Sequence, residues 1–317
     1  MTTRTLAARL THTGRPPEVA EVELREPGAG EVVVDLHFAA LNPLDTYVIQ
    51  GSVAGEAPRP RVLGVEGAGM CEGRPVVVHG GGLGIVRDGT WAERVVAPRE
   101  ALVPVPDGVA LTAAASAAVV GTTAIRVTGD LGRVDRDDRV LVLGAGGGVG
   151  LAVISLCRAA GARVWGQTAG AGKAKAIAAA GAEPVLAATA GDLAEAVAGA
   201  AAPTVVFDAL GGAFTAAALE LLAERGRLIS YGTSAGPQST VPMRVLYRRN
   251  LSVIGYGGVG EPPERIRSGT ELALRAALDG SLVVPVHEVL PLTQVGAALR
   301  TLTNRDAAGK VLLDVRS

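Results

Sequence analysis

The stretch Arg139 to Gly150, RVLVLGAGGGVG, passes from an apolar β-type run through glycines into an alanine-rich helical segment, an order that builds a seat for phosphate. Within Ala145-Gly146-Gly147-Gly148-Val149-Gly150, Gly147 lets backbone approach a pyrophosphate and Gly150 lets helix and strand pack closely. The helix is expected to start near Val149 and to turn its free N–H groups and positive dipole end toward the anion. Ala145 stands where the fingerprint has its first glycine. Taken alone, the motif therefore fits an ordinary strand-turn-helix equally well, and the surrounding elements must decide.

Those elements fall into two groups. In the first hundred residues, short strand-like runs are broken by Pro and Gly. Glu31 to Leu41 puts Val32, Val34, Leu36, Phe38 and Ala40 on one face against Val33, Asp35, His37 and Ala39 on the other, the period of a half-buried strand. Further strands are predicted at Arg74 to His79 and Trp91 to Ala97, making an all-β module. From Leu111 the chain turns alanine-rich. Strands predicted near Arg139–Leu143, Ala162–Gln167, Glu183–Ala187, Thr204–Ala209, Gly226–Gly232 and Leu251–Tyr256 then alternate with helical segments, which implies a doubly wound parallel sheet. A helix at Pro262 to Leu278, a strand near Leu282–Val284, a helix at Leu292–Asn304 and a strand at Lys310–Val315 complete the chain. The tail is expected to rejoin the first module, giving a discontinuous domain of residues 1–118 and 258–317 around a nucleotide-binding domain of 119–257.

Composition narrows the chemistry. The 317 residues suit two domains, and 30 basic against 31 acidic residues give a net charge of -1, which disfavours nucleic acid or an anionic membrane as the main partner. Two cysteines, Cys71 and Cys157, supply neither a zinc motif nor a disulfide framework, and a reducing cytoplasm is the natural setting. The N-terminal segment lacks the apolar core of a signal peptide, and no run of about 18 apolar residues escapes interruption by charge. With aromatics at 3%, the core must be filled by Val, Leu, Ile and Ala, as in buried parallel strands.

In the order and spacing of its motifs the chain resembles the medium-chain dehydrogenase/reductase superfamily, in particular its zinc-free quinone oxidoreductases. These motifs are Asn42-Pro-Leu-Asp45-Thr-Tyr47 with Gly51, Gly64-Val-Glu66-Gly67-Ala-Gly69, Gly121-Thr-Thr123-Ala124, the glycine turn, Gly161-Ala162, Asp208-Ala-Leu-Gly211, Gly226 to Gly232, and Gly309-Lys310-Val-Leu-Leu. The resemblance implies an α/β chain with a GroES-like β-barrel, a Rossmann domain and a nicotinamide bound in the cleft between them. In zinc-dependent relatives a cysteine stands at the place of Asn42 and a histidine at that of Val65. With both absent, Glu66 is left alone of the three ligands a catalytic zinc needs, and no zinc is expected.

The second strand of a site specific for NAD ends in a carboxylate that binds the ribose. Here Arg163-Val-Trp-Gly-Gln167-Thr168-Ala-Gly170-Ala-Gly-Lys173 contains none. A carboxylate there would repel a 2′-phosphate by up to about 4 kcal/mol at 4 Å and an effective dielectric near 20, so its absence admits NADP. Lys173 matches the phosphate-binding lysine of NADP-dependent quinone reductases, which favours NADPH; it is equally the type of residue that sits solvated in a first helical turn. Some relatives carry a tyrosine against the adenosine, and Val185 to Ala188 has none.

For catalysis the resemblance points to Tyr47 and Asn42. Negative charge developing on the acceptor oxygen must be met by hydrogen-bond donors. Tyr47 is expected to donate its phenolic proton directly or through water, or to serve as a wall tyrosine. Asn42 is expected to fix the nicotinamide ring or the substrate carbonyl, or to be a turn residue before Pro43. Cofactor contacts are expected from Asn42, Thr123, Gly146, Gly147, Gly148, Val149, Gln167, Thr168, Lys173, Leu210, Gly211, Gly232, Thr233, Ser234 and Gly255, most of them at carboxyl ends of parallel strands. His12, His37, His79 and His287 match no catalytic position of the family.

Where relatives often carry an arginine after the tyrosine, this chain has Ile49-Gln50, and the segment Val53 to Pro60 is short. The expected substrate is a small conjugated carbonyl, a quinone, enone or 2-alkenal. Alternatives are an enoyl-thioester or tailoring reductase of a biosynthetic pathway, a zinc-free alcohol dehydrogenase, and a non-catalytic NADP-binding redox sensor or structural protein. The Leu251–Tyr256 strand should form a sheet edge that pairs with a second copy, giving a homodimer.

Overall fold

A computed structural model describes residues 3–53 and 59–317, so most of the Val53 to Pro60 segment lies outside the described residues. The chain divides into two compact units, one of Met1–Thr122, Glu261–Gly280 and Val284–Ser317, the other of Thr123–Gly260 with Ser281–Val283.

The first unit is mainly β. One sheet runs Val286–Pro291, Lys310–Asp314, Glu31–Ala40, Glu66–Cys71, Arg74–His79, Leu102–Pro104, with Arg94–Pro98 also pairing to Glu31–Ala40. A smaller sheet holds Glu18–Glu23, Arg4–Leu10 and Arg61–Val62. The alternation read along Glu31–Ala40 holds only as far as Leu36. A register irregularity between Leu36 and Phe38, opposite Gly69 and Ala68, advances the strand by one residue, and that exchanges faces. Ala39 thus joins Val32, Val34 and Leu36 in the main cluster with Trp91, while Ala40 and Phe38 pack with Val77, Val103 and Leu312.

The first hundred residues are not all β. Pro43–Gln50 is a helix, with Asn42 as N-cap, Pro43 in the first turn and Gly51 closing it at φ 77°. Asn-Pro works here as a helix start, because proline needs no N–H at that position and its φ suits the helix. The strand expected at Leu282–Val284 is also corrected. This piece joins no sheet: Val283 N–H donates to Ser155 Oγ at 3.1 Å, and pairing begins at Val286.

The second unit is a six-stranded, all-parallel sheet in the order Glu183–Leu186, Arg163–Thr168, Arg139–Leu143, Val205–Asp208, Arg227–Ser230, Ser252–Gly255. Numbered along the chain this is 3-2-1-4-5-6, the doubly wound dinucleotide-binding order, whose ligands lie beyond the carboxyl ends of the strands. Its central strands are buried, whereas Ser252–Gly255 at the edge is mostly exposed, as a strand with one neighbour must be. By length and composition the helical run Leu111–Leu131 would suffice to cross a membrane. However, 67% of its most apolar window is buried in the fold, the situation of a core helix.

Candidate functional site

In the nucleotide unit the Arg139–Leu143 strand ends at Gly144, which takes the left-handed φ of 69° and thus supplies the tight turn that Ala145 does not. Gly147 caps the Gly148–Ala159 helix in extended conformation. The first turn leaves the N–H groups of Gly148, Val149 and Gly150 without intrahelical acceptors. Gly150 is required by packing, since a Cβ there would lie 2.6 Å from the Ala145 carbonyl oxygen. Gly147 is different. A Cβ there would meet nothing nearer than the Gly144 oxygen at 3.6 Å and would project into open space before the helix.

Gln167 acts on the turn itself. Its Oε1 accepts from Gly144 N at 2.9 Å and its Nε2 donates to the Ala187 carbonyl at 2.7 Å, tying together the ends of three strands while 2% exposed. Half-buried Lys173 lies along Gly146, where a Cβ would come within 2.5 Å of its Cδ. Thr168 is buried and donates to the Gly170 carbonyl at 3.3 Å.

The next loops close around the same strand ends. Buried Asp208 accepts from the N–H groups of Leu210 and Gly211 at 2.8 and 3.0 Å and from Thr215 Oγ1 at 2.6 Å, holding a loop in which Gly211 has φ 68°. Leu210 reaches the glycine turn, within 3.2 Å of the place of a Gly144 Cβ. Gly232 packs on Ala209, and Ser234 donates to the Ala209 carbonyl through N and Oγ at 3.1 Å each. Thr233 adjoins Gly211. The structure thus brings Gly146, Gly147, Gly148, Val149, Gln167, Lys173, Leu210, Gly211, Gly232, Thr233 and Ser234 into one connected set. Gly255 is exposed with open space around it, and Thr123 is half-buried where the long helix enters this unit.

In the β unit lies a buried polar cluster only partly foreseen. Asn42, 3% exposed, donates from Nδ2 to Glu66 Oε1 at 2.8 Å, and its Oδ1 accepts from Lys310 Nζ at 2.8 Å. Lys310 also donates to Glu66 Oε1 and to the Leu41 carbonyl, each at 2.7 Å. The second Glu66 oxygen accepts from Val119 N–H at 2.6 Å. Asp45 accepts from Asn42 N–H at 2.7 Å, and burial, only partly offset by that bond and by Lys310, pushes its carboxyl up to about 7. His79, which shares a hydrogen bond of 2.8 Å with Thr270, is driven by burial down to about 4.

Tyr47, one helical turn beyond Asn42, is 38% exposed, and no described residue bonds its hydroxyl. Among the described residues no three His, Cys, Asp or Glu side chains are grouped to hold a metal ion. Lys310 and His79 escaped sequence reasoning as members of this cluster, because their partners lie far off along the chain. The signal available for Lys310 was a lysine opening an apolar strand, Lys310-Val-Leu-Leu.

Residues 148–275 match the family model described as zinc-binding dehydrogenase. The quinone oxidoreductase-like protein 2 of Rattus norvegicus is 28% identical over 327 residues, covering 98% of this chain and 92% of that protein. A quinone oxidoreductase of Pseudomonas syringae pv. tomato DC3000 superposes with TM-score 0.84 at 26% identity, over 98% of this chain and 99% of its own. A mycobacterial protein solved in complex with NADPH gives TM-score 0.85 at 28% identity, over 98% and 99%. With its parallel nucleotide sheet and separate antiparallel β unit, the chain is similar to quinone oxidoreductase-like proteins of the medium-chain dehydrogenase/reductase superfamily.

Proposed function

We propose that this chain is an NADPH-dependent, zinc-independent oxidoreductase that reduces a quinone or another small conjugated carbonyl, an enone or 2-alkenal. The observation that carries this reading is the open face of Gly147 before free helix N–H groups, a cradle that a single Cβ would fill. The residues present fit a dinucleotide. Backbone from Gly146 to Val149 would hold the pyrophosphate, with Leu210, Gly211, Thr233 and Ser234 beside it. Lys173 next to the turn, and a second strand ending in Thr168 without a carboxylate, favour a 2′-phosphate. The likeness to a structure containing NADPH supports the same choice.

When bound, reduced nicotinamide supplies the hydride. The chain must then meet negative charge on the acceptor oxygen, which polar donors do best when they are already oriented. Tyr47 is the exposed phenol assigned to proton donation. Asn42, with one N–H left after Glu66 is served, is the oriented amide.

Zinc does not suit these residues. Asn42 and Val65 replace two ligands of the zinc-dependent pattern, and the Lys310 ammonium stands against both Asn42 and Glu66. The same reading makes the protein cytoplasmic and homodimeric, pairing through the exposed Ser252–Gly255 edge.

Calorimetry with NADPH and NADH, metal analysis, and NADPH oxidation over a panel of quinones, enones and alkenals test the proposal. K173A should weaken NADPH about tenfold or more, the worth of a charged hydrogen bond of about 1.5–3 kcal/mol, and leave NADH unchanged. Y47F should lower kcat with little change in cofactor affinity. Absence of binding heat with either coenzyme, or of turnover across the whole panel, overturns the reading.

A further inference from the structure

We propose that Lys310 is a positioning residue, a fixed internal cation that dictates which way the Asn42 amide faces and anchors the start of the Pro43–Gln50 helix that carries Tyr47. The inference rests on the reading above only in taking Asn42 and Tyr47 to serve the reaction.

The Lys310 side chain is 4% exposed, and its ammonium has three N–H donors and no acceptor capacity. All three donors are used, on the Leu41 carbonyl, Asn42 Oδ1 and Glu66 Oε1, at 2.7, 2.8 and 2.7 Å. An asparagine amide is nearly symmetric in shape, so packing alone does not choose between its two flips. Here the choice is forced. An ammonium accepts only an oxygen as neighbour and a carboxylate only a donor, so Oδ1 must face Lys310 and Nδ2 must face Glu66.

This orientation is handed on to the helix start. Lys310 grips Leu41 and Asn42, Asn42 N–H donates to Asp45, and Glu66 is pinned from its other side by Val119 N–H. Lys310 itself is held in the Lys310–Asp314 strand, where its N–H donates to the Pro285 carbonyl at 2.8 Å. Gly309, at φ 101° and with no room for a Cβ beside that carbonyl, fixes the approach. Burying a cation and an anion together is poor value for stability alone, since apolar replacements of similar volume often serve as well. Its distinctive product is orientation.

That distinction defines the experiment. K310M leaves Glu66 buried and unpaired and should lower Tm sharply. The charge-neutral pair E66Q/K310M removes this penalty, so Tm and NADPH affinity should return close to wild type. The Asn42 amide, no longer forced, should lose its orientation: kcat for a benzoquinone should fall about tenfold to a hundredfold at unchanged KM for NADPH, the scale expected for a misplaced positioning group. In 15N-correlation spectra the slowly exchanging Asn42 side-chain NH2 of the wild type should shift and lose protection.

K310Q keeps a neutral donor at the same place and should give intermediate kcat and protection, which preserves the comparison if the double variant does not fold. Wild-type kcat in either folded variant, or an Asn42 amide signal unchanged by both, overturns the role of Lys310. If instead the wild type turns over no acceptor, the functional reading fails, while the amide spectra still decide what Lys310 orients.

Discussion

Two glycines three residues apart carry different physical duties. Gly150 faces the Ala145 backbone, so G150A must push helix from strand, and a loss of about 1–3 kcal/mol measured by denaturant unfolding is expected from overpacking. Gly147 faces open space and has φ −81°, which any residue adopts, so G147A should leave stability within about 0.5 kcal/mol while weakening NADPH at least tenfold in calorimetry. Equal effects of the two substitutions on stability would falsify the cradle. The general duties of this motif were legible in its spacing. That Gly144 takes over the turn from Ala145 was not, because it depends on where the strand ends. Gln167 illustrates the same limit. Its position at the end of the second strand suggests a ligand contact; that its amide also serves the turn's own backbone depends on a register across three strands, which is invisible in a linear reading.

At the scale of elements, the strand set of the nucleotide unit was legible because buried parallel strands are continuous apolar runs bounded by glycine. The Pro43–Gln50 helix was not. It has only eight residues, too few for a periodic pattern, and it depends on a cap and a cluster assembled from distant segments. The bulge in Glu31–Ala40 was hidden for a similar reason, since Val, Phe and Ala fit either face and only the partner strand sets the register.

The cluster beneath the helix also makes stability depend on pH. Folded Asp45, raised from an ordinary 3.8 to about 7, holds a proton that the unfolded chain releases, so it favours folding less and less as pH rises from about 4 to about 7. Folded His79, lowered from 6.5 to about 4, refuses a proton that the unfolded chain accepts, so its contribution is lost as pH falls from about 6.5 to about 4. The two slopes oppose each other in the wild type. H79Q should expose the first trend and D45N the second, each with a limiting slope of about 1.4 kcal/mol per pH unit, in urea titrations across that range. Parallel wild-type and variant profiles would remove both assignments.

At the scale of the whole molecule, assembly is read from the sheet edge. Among the described residues Ser252–Gly255 pairs on one side only, and Val253 is 42% exposed. An edge of this kind invites strand addition by a second copy. Sedimentation of the wild type should give a species near twice 31.9 kDa, and V253K should shift the equilibrium toward the monomer without loss of NADPH binding. A monomeric wild type at tens of micromolar sinks the pairing.

The ion pair between Glu66 and Lys310 spans 244 positions of the chain. On a ribosome the carboxylate therefore emerges long before its counter-ion, and the parallel sheet of the second unit has been fully translated in the meantime. Because a loop closure of this length is slow while the contacts of the intervening unit are shorter in range, the β unit should mature last, once Lys310 has left the ribosome. Nascent chains stalled before residue 310 should display a protease-resistant nucleotide unit attached to a β unit that is still digestible.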